Sequence, residues 1–163
     1  MFTLTQEQPD DEWEVEALLD TAFGPGRTGL SSYRLREGCD PVAGLCLVSR
    51  DETGSVAGAI RYWPITAGDT PALLLGPVAV HPTHQGEGLG ALLIARSLER
   101  ALEAGWDWVV LVGDEPYYAR FGFSRAAALG LQFPPPTIPD RVLAQKLRED
   151  AAPIAGLLRR CRA

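Results

Sequence analysis

A glycine-rich segment between a predicted strand and a predicted helix constrains this chain more than any other feature. The segment consists of Gln85, Gly86, Glu87, Gly88, Leu89, Gly90 and Ala91. The apolar run before it, residues 72–80, is typical of a strand, and residues 88–104 carry apolar side chains at the spacing of one helix face. Backbone N–H groups are free at a helix start, and glycines let a ligand approach them closely. The segment therefore predicts a phosphate-binding loop.

A second apolar strand follows this helix. Residues 108–112 are mostly β-branched, so the middle of the chain predicts one strand–helix–strand unit. Gly76 and Pro77 interrupt the first strand of the unit. Because proline cannot donate a hydrogen bond to a sheet, we expect a bulge or a splayed strand at this position.

Shorter elements are predicted around this unit. Apolar patterns indicate strands over 2–5, 44–50, 56–65 and 142–147, and helices over 10–23, 28–36 and 116–120. In the tail, Ile154, Leu157, Leu158 and Cys161 share one helix face, which predicts a last helix. The length suits a single domain over 1–148, with the tail helix over 149–163.

Composition restricts the classes of function. Fifteen Lys and Arg residues stand against 21 Asp and Glu residues, a net charge of −6, which argues against a nucleic-acid or membrane-surface role. No apolar run reaches the roughly 20 residues of a membrane helix, and the acidic N-terminal segment lacks a secretory pattern. Cys39, Cys46 and Cys161 lack metal-binding spacing. We therefore expect free thiols in a reducing, cytoplasmic compartment, and no metal.

Several interpretations compete for the glycine segment. A Walker loop requires Gly-Lys-Ser/Thr at its end, which is absent. A dinucleotide fingerprint is formally matched by Gly86, Gly88 and Ala91, with Asp114 near the place of the ribose-binding acid. Five residues separate its first glycine from the strand, however, and the chain is short for a doubly wound sheet. A nicotinamide-dependent enzyme and a glycine turn without a ligand both stay open at this point.

A third pattern, Gln/Arg-x-x-Gly-x-Gly/Ala, is matched by Gln85, Gly88 and Gly90. Residues 75–93 (LGPVAVHPTHQGEGLGALL) resemble the central acetyl-CoA motif of the GNAT superfamily of N-acetyltransferases. Residues 116–123 (PYYARFGF) resemble the second recurring element of that family, a tyrosine followed by an aromatic-Gly-Phe turn. The two motifs together are far more specific than either alone, and the run GDEPYYARFGF is similar to the YhbS-like branch.

The resemblance implies an α/β fold with a mixed, mostly antiparallel sheet of about six or seven strands, splayed at its centre and flanked by helices. Acetyl-CoA would lie between the splayed strands and pair with the backbone of Val78, Ala79 and Val80. Asp114 is a further cofactor-binding candidate. The pyrophosphate would be bound by the Gln85 side chain and by the amides of Gly86, Glu87, Gly88, Leu89, Gly90 and Ala91.

The resemblance also assigns a general acid. Tyr118 matches the tyrosine of the second motif, whereas its neighbour Tyr117 is out of register. A phenol with a pKa near 10 keeps its proton at pH 7 and can pass it to a leaving thiolate. The base stays open among His81, His84, Glu87 and Asp114. The resemblance further implies that Tyr33 lines the acceptor pocket, because it lies in the region of the first two helices, which covers the acceptor side in the family.

The implied function is transfer of an acetyl group from acetyl-CoA to a primary amine by direct attack in a ternary complex. The acceptor would be a small molecule or a protein amine, and the acidic balance slightly favours a cationic one. The alternative is a non-catalytic acyl-CoA-binding sensor on the same fold, because fold does not fix function. The predicted tail helix offers a surface for packing against a second copy of the chain, so a homodimer is one expectation.

Overall fold

The computed structural model describes residues 2–24, 26–27, 31–135 and 137–161. The helices are α1 (Glu12–Phe23), α2 (Ser31–Arg34), α3 (Leu89–Glu103) and α4 (Glu115–Tyr118). The strands are β1 (Thr3–Gln6), β2 (Leu47–Arg50), β3 (Val56–Ala67), β4 (Thr70–Val80), β5 (Trp108–Val112), β6 (Leu131–Gln132), β7 (Val142–Lys146) and β8 (Gly156–Arg160). Within these residues, no helix has the length and apolar character needed to cross a bilayer.

One mixed sheet organises the molecule. Its main order is β1-β2-β3-β4-β5-β7, and β8 pairs with the end of β3 and with β6. Neighbours on the main path run antiparallel except β4 and β5, which run parallel. The predicted α/β class, with a mostly antiparallel sheet flanked by helices, is confirmed. The described strands number eight rather than six or seven.

Helix α3 packs on one face of the sheet through its apolar side. Leu89, Leu93 and Ile94 are fully buried against strand residues such as Ile60. Each such side chain contributes roughly 1.5–3 kcal/mol by leaving water. The close approach depends on Gly58, where a Cβ would lie 2.9 Å from Leu93 Cδ1 and 3.2 Å from the oxygen of Ala79. The start of α3 is thereby fixed beside the end of β4.

A β-bulge lies in β4 where the sequence predicts it. Ile60 pairs with Val78 and Tyr62 pairs with Leu75, so Gly76 and Pro77 together oppose one residue of β3. The Gly76–Pro77 peptide is cis. The bulge prediction is confirmed, and it lies where β4 separates from β5.

The predicted tail helix is wrong. Residues 156–160 form β8, which pairs with Ile65, Thr66 and Ala67 of β3 and, through its first two residues, with β6. The open end of β3 offers backbone hydrogen bonds that a local apolar pattern cannot reveal. The domain limit at residue 148 stays a prediction. The second helix ends at Arg34 rather than at residue 36, and residues 28–30 of the predicted span lie outside the described residues.

The prediction of free thiols is wrong for two of the three cysteines. Cys39 and Cys161 form a disulfide, because pairing of β8 with β3 brings the end of the chain beside the turn after α2. Cys46 is free and buried, and burial raises the pKa of its thiol to about 11. The cytoplasmic location rested partly on free thiols and stays a prediction.

Candidate active site

The two parallel strands of the sheet diverge and leave a cavity. Among the described residues, β4 and β5 pair only at Leu73–Val109 and Leu74–Val110. Beyond these pairs a cavity of about 500 Å³ opens between residues 74–78 and 111–114. A gap of this kind exposes strand edges to a ligand rather than to a neighbouring strand.

The predicted cofactor strand residues lie along this gap. Val78, Ala79 and Val80 pair on one side with Ile60, Ala59 and Gly58 of β3. Their other edge faces the side on which β5 has diverged, so the expectation of unpaired groups applies to that edge only. Val78 lines the cavity itself.

The glycine loop lies at the start of α3. A short 3-10 turn, Pro82–His84, leads into it, and Gly88 precedes the helix with a φ of 78°. Residues 85–88 are exposed to solvent. The first-turn amides of Leu89, Gly90 and Ala91 have no partner within the helix and carry its positive dipole end. The arrangement suits binding of an anion by backbone N–H groups.

His84 joins the glycine loop to the turn between β2 and β3. Its Nδ1 lies 3.1 Å from Glu87 Oε2, and its Nε2 lies 3.1 Å from Asp51 Oδ2. The two carboxylates, Glu87 first and Asp51 second, raise the pKa of His84 above its ordinary value. A histidine held between two carboxylates is placed to fix the loop rather than to accept a proton from an amine.

Tyr118 forms part of the cavity wall at the end of α4. Its ring packs edge-on against Phe123 and Tyr117, with centroid distances of 6.1 Å and 5.0 Å. Burial raises the pKa of Tyr118 above its ordinary value, and the neighbouring Tyr117 acts in the same direction. The phenol therefore keeps its proton at neutral pH, as a general acid must.

The candidate bases do not all lie at the cavity. Asp114 lines it, beside Gly113 at the end of β5. His81, His84 and Glu87 are not among the described residues that line it. The ring Nδ1 of His81 lies 2.8 Å from Thr83 Oγ1, within its own turn.

Sequence reasoning missed several charged residues that line the same cavity. Arg27, Arg36 and Arg141 come from three separate segments and line its walls, together with Phe23 and the predicted Tyr33. Arg27 is held by carboxylates of α1: it pairs with Glu16, and its Nε lies 2.9 Å from Asp20 Oδ1. No short motif links these positions in the sequence, so no local signal pointed to them.

Comparisons with known proteins agree with this geometry. The model of the Acetyltransferase (GNAT) family matches residues 12–123. The uncharacterized N-acetyltransferase YhbS of Escherichia coli K12 is 31% identical over 147 residues, 89% of this chain and 87% of that protein. The crystal structure of E. coli YhbS in complex with CoA superposes with a TM-score of 0.83 at 28% identity, over 98% of this chain and 89% of that one.

A second solved structure is similar over nearly the whole chain. A GNAT family acetyltransferase from Brucella melitensis, in complex with acetyl-CoA, gives a TM-score of 0.72 at 26% identity, with 99% of this chain and 96% of that chain covered. The fold, with its diverging parallel strands, is that of the GNAT family. This chain belongs to the GNAT family of acetyltransferases.

Proposed function

We propose that this protein transfers the acetyl group of acetyl-CoA to a primary amine in a ternary complex. The observation that carries the proposal is the gap between β4 and β5, with the glycine loop at the start of α3 and Tyr118 in the wall of the gap. Two structural relatives were solved with CoA or acetyl-CoA bound. A small-molecule or protein amine is the acceptor, and no metal takes part in the reaction.

The cofactor would extend along the gap. Its pantetheine amides pair with the free edge of Val78, Ala79 and Val80, and its pyrophosphate is bound at residues 85–91. Gln85 adds neutral side-chain hydrogen bonds. Asp114 lines the gap at the end of β5, and in this proposal it contacts the cofactor or the amine.

The transfer consists of one addition step and one elimination step. The neutral amine nitrogen forms a bond to the thioester carbonyl carbon, and the backbone near residues 78–80 stabilises the oxyanion. The carbon–sulfur bond breaks, and Tyr118 gives its proton to the leaving sulfur. The nitrogen loses a proton to Asp114 or to water, and water returns a proton to Tyr118. No covalent enzyme intermediate forms.

Replacement of Tyr118 by Phe tests the proposal. General acid catalysis contributes typically 10²–10⁴-fold, so kcat is expected to fall by about a hundredfold or more. The dissociation constant of CoA, measured by calorimetry, should stay unchanged. Tyr117→Phe removes the neighbouring hydroxyl and serves as the matched control, with most turnover retained. Equal turnover in both variants would contradict the role of Tyr118 as the acid, and no turnover of any amine by the unmodified protein despite CoA binding would favour the sensor.

A further inference from the structure

The bridge that His84 forms between the glycine loop and the β2–β3 turn depends on its protonation state. Nδ1 lies 3.1 Å from Glu87 Oε2 and Nε2 lies 3.1 Å from Asp51 Oδ2, so each ring nitrogen faces a carboxylate oxygen. A neutral imidazole has one donor nitrogen and one acceptor nitrogen, whereas an imidazolium has two donors. The bridge with both contacts is therefore that of the charged form.

The turn between β2 and β3 is a well-ordered anchor for this bridge. Asp51 Oδ1 accepts hydrogen bonds from the backbone N–H of Thr53 at 2.9 Å, from Thr53 Oγ1 at 2.6 Å and from the backbone N–H of Ser55 at 3.1 Å. The N–H of Gly54 also donates to the backbone oxygen of Asp51 at 3.0 Å. These bonds fix the carboxylate, so that Oδ2 is held where His84 can donate to it. The turn thus holds His84, and through it the loop residue Glu87.

The other groups around His84 are aromatic, neutral or acidic. The ring of Phe2 meets its ring edge-on, with the two centroids 5.2 Å apart. The cleft at this point is lined by Phe2, Asp51, Glu52, Thr53, His84 and Glu87. Among these described residues, His84 is the one that can carry a positive charge. Its protonation therefore decides whether the carboxylates beside the glycine loop have a cation between them.

Loss of the proton would act on the loop in two ways. One ring nitrogen would then turn a lone pair toward a carboxylate, so the loop would lose one of its two contacts with the anchor. The carboxylate of Glu87 would also lose its neutralising partner. Because Glu87 belongs to the segment proposed to bind the pyrophosphate, its uncompensated charge would repel the phosphate groups.

We propose that His84 is a positioning residue for the cofactor loop, and that its imidazolium form, bridging Asp51 and Glu87, makes CoA bind more tightly. The proposal rests on the proposed function, because it needs the pyrophosphate at residues 85–91. It adds proton-linked control of affinity at that site. CoA binding is then accompanied by uptake of a proton at His84, since the bound phosphates favour the charged ring further. The affinity for CoA falls as pH rises and His84 becomes neutral.

Calorimetry of CoA binding at pH 6 and pH 9 tests the proposal on the unmodified protein and on His84→Gln, whose side chain cannot gain a charge. At pH 6 the dissociation constant of the variant is expected to be about fivefold higher than that of the unmodified protein. At pH 9 both side chains are neutral, and the two constants should agree within about twofold. The α-amino group and the phosphates of CoA also titrate near neutrality, but they are common to both proteins and cancel in the ratio.

His81→Gln is the matched control, because the Nδ1 of His81 contacts Thr83 within its own turn. It should bind CoA like the unmodified protein at both pH values. Asp51→Asn is a second variant that removes one carboxylate and keeps the shape of the turn. It should move the fall in affinity to lower pH, because the charged ring loses one of its partners.

Proton uptake gives an independent readout. Titrations at pH 7.5 in buffers of different ionisation heat count the protons bound with CoA, and the unmodified protein should take up more than His84→Gln. Equal uptake in both proteins, or a ratio of dissociation constants that is the same at pH 6 and pH 9, overturns the proposal, because a purely structural histidine would give these results. Failure of the proposed function is distinguishable, because CoA would then bind the unmodified protein at neither pH.

Discussion

The ring of Tyr118 lies directly on the main chain of Gly113, in space that a side chain would otherwise fill. A Cβ at Gly113 would lie 2.5 Å from Cε2 and 2.9 Å from Cδ2 of Tyr118. Gly113 follows β5, where its N–H donates to the oxygen of Arg141 at 2.8 Å. The end of the diverging strand thus determines where the proposed acid lies.

Gly113→Ala is expected to displace the phenol of Tyr118 and lower kcat by about a hundredfold, since a shift of about 1 Å can cost that much. The dissociation constant of CoA should change far less, because residues 78–80 and 85–91 are untouched. Steady-state kinetics and calorimetry measure the two effects. Gly44→Ala is the matched control, because a Cβ there meets no atom within 4 Å. An unchanged kcat in Gly113→Ala would show that the rate of transfer does not depend on the position of the Tyr118 phenol.

Gly88→Ala should weaken CoA binding. Gly88 has a φ of 78°, a conformation that costs a residue with a Cβ about 1 kcal/mol. The loop can relax in the free protein, so the strain is expected to appear as a rise in the dissociation constant of CoA of about fivefold. Calorimetry measures that constant.

Gly105→Ala provides the control for backbone strain. Gly105 has a φ of 92°, open space around it and a position at the opposite end of α3. Gly105→Ala should lower the free energy of unfolding, measured in urea, by about 1 kcal/mol, the same strain cost. Its dissociation constant for CoA should stay unchanged. A weaker affinity in both variants would indicate general destabilisation rather than a binding loop.

His84→Gln should change how stability depends on pH. The pKa of His84 is raised in the folded protein by Glu87 and Asp51. Its stabilisation is therefore complete below the unfolded pKa of about 6.5 and is lost as pH rises through the folded pKa. The difference in Tm between the unmodified protein and His84→Gln should be larger at pH 6 than at pH 9. A difference that grows with pH would contradict the ion pairing.

The pairing of His84 with Asp51 also predicts that this stabilisation is lost in acid. Hydrogen bonds from Thr53, first, and also from Ser55 and His84 lower the pKa of Asp51 to about 2. Its contribution is present above its ordinary value of 3.8 and is lost as pH falls toward 2. Comparison at pH 6 thus lies inside the range in which both groups are charged.

Arg61 is expected to be a large contributor to stability. It is buried, its Nε and Nη2 each lie 3.0 Å from the carboxylate oxygens of Glu7, and its Nη1 lies 2.8 Å from Glu16 Oε1. Arg61→Met leaves the half-buried carboxylate of Glu7 without its partner and should lower the free energy of unfolding by about 2 kcal/mol. Urea denaturation measures the change.

The double variant Arg61→Met with Glu7→Leu separates the pair from the individual residues. It removes both charges of the Arg61–Glu7 pair and should recover most of the loss, because Glu7 is no longer left as an unpaired charge and Glu16 keeps its pair with Arg27. A loss below about 1 kcal/mol in the single variant would instead describe an ordinary surface ion pair.

The centre of the fold was predictable because its signals are local. Alternation of apolar residues, Pro77 and the glycines before α3 each act within a few residues, and they correctly predict β4, its bulge, α3 and β5. The family motifs lie in the same stretch of chain, so the family prediction is confirmed with them.

The remaining features depend on contacts between distant parts of the chain. Strand β8 and the Cys39–Cys161 disulfide arise only when the tail meets the free end of β3, 122 residues of separation lying between the two cysteines. Arg36 and Arg141 likewise come to line the same cavity only in the folded chain. Sequence patterns describe what each segment prefers, and these features depend on which segments become neighbours.

A crystal structure of the protein with CoA would test the central claim most directly. The account predicts pantetheine amides paired with the free edge of Val78, Ala79 and Val80, the pyrophosphate at residues 85–91, and the sulfur within hydrogen-bond reach of the Tyr118 phenol. CoA bound elsewhere on the surface, or a sulfur remote from Tyr118 with β4 and β5 paired throughout, would contradict it.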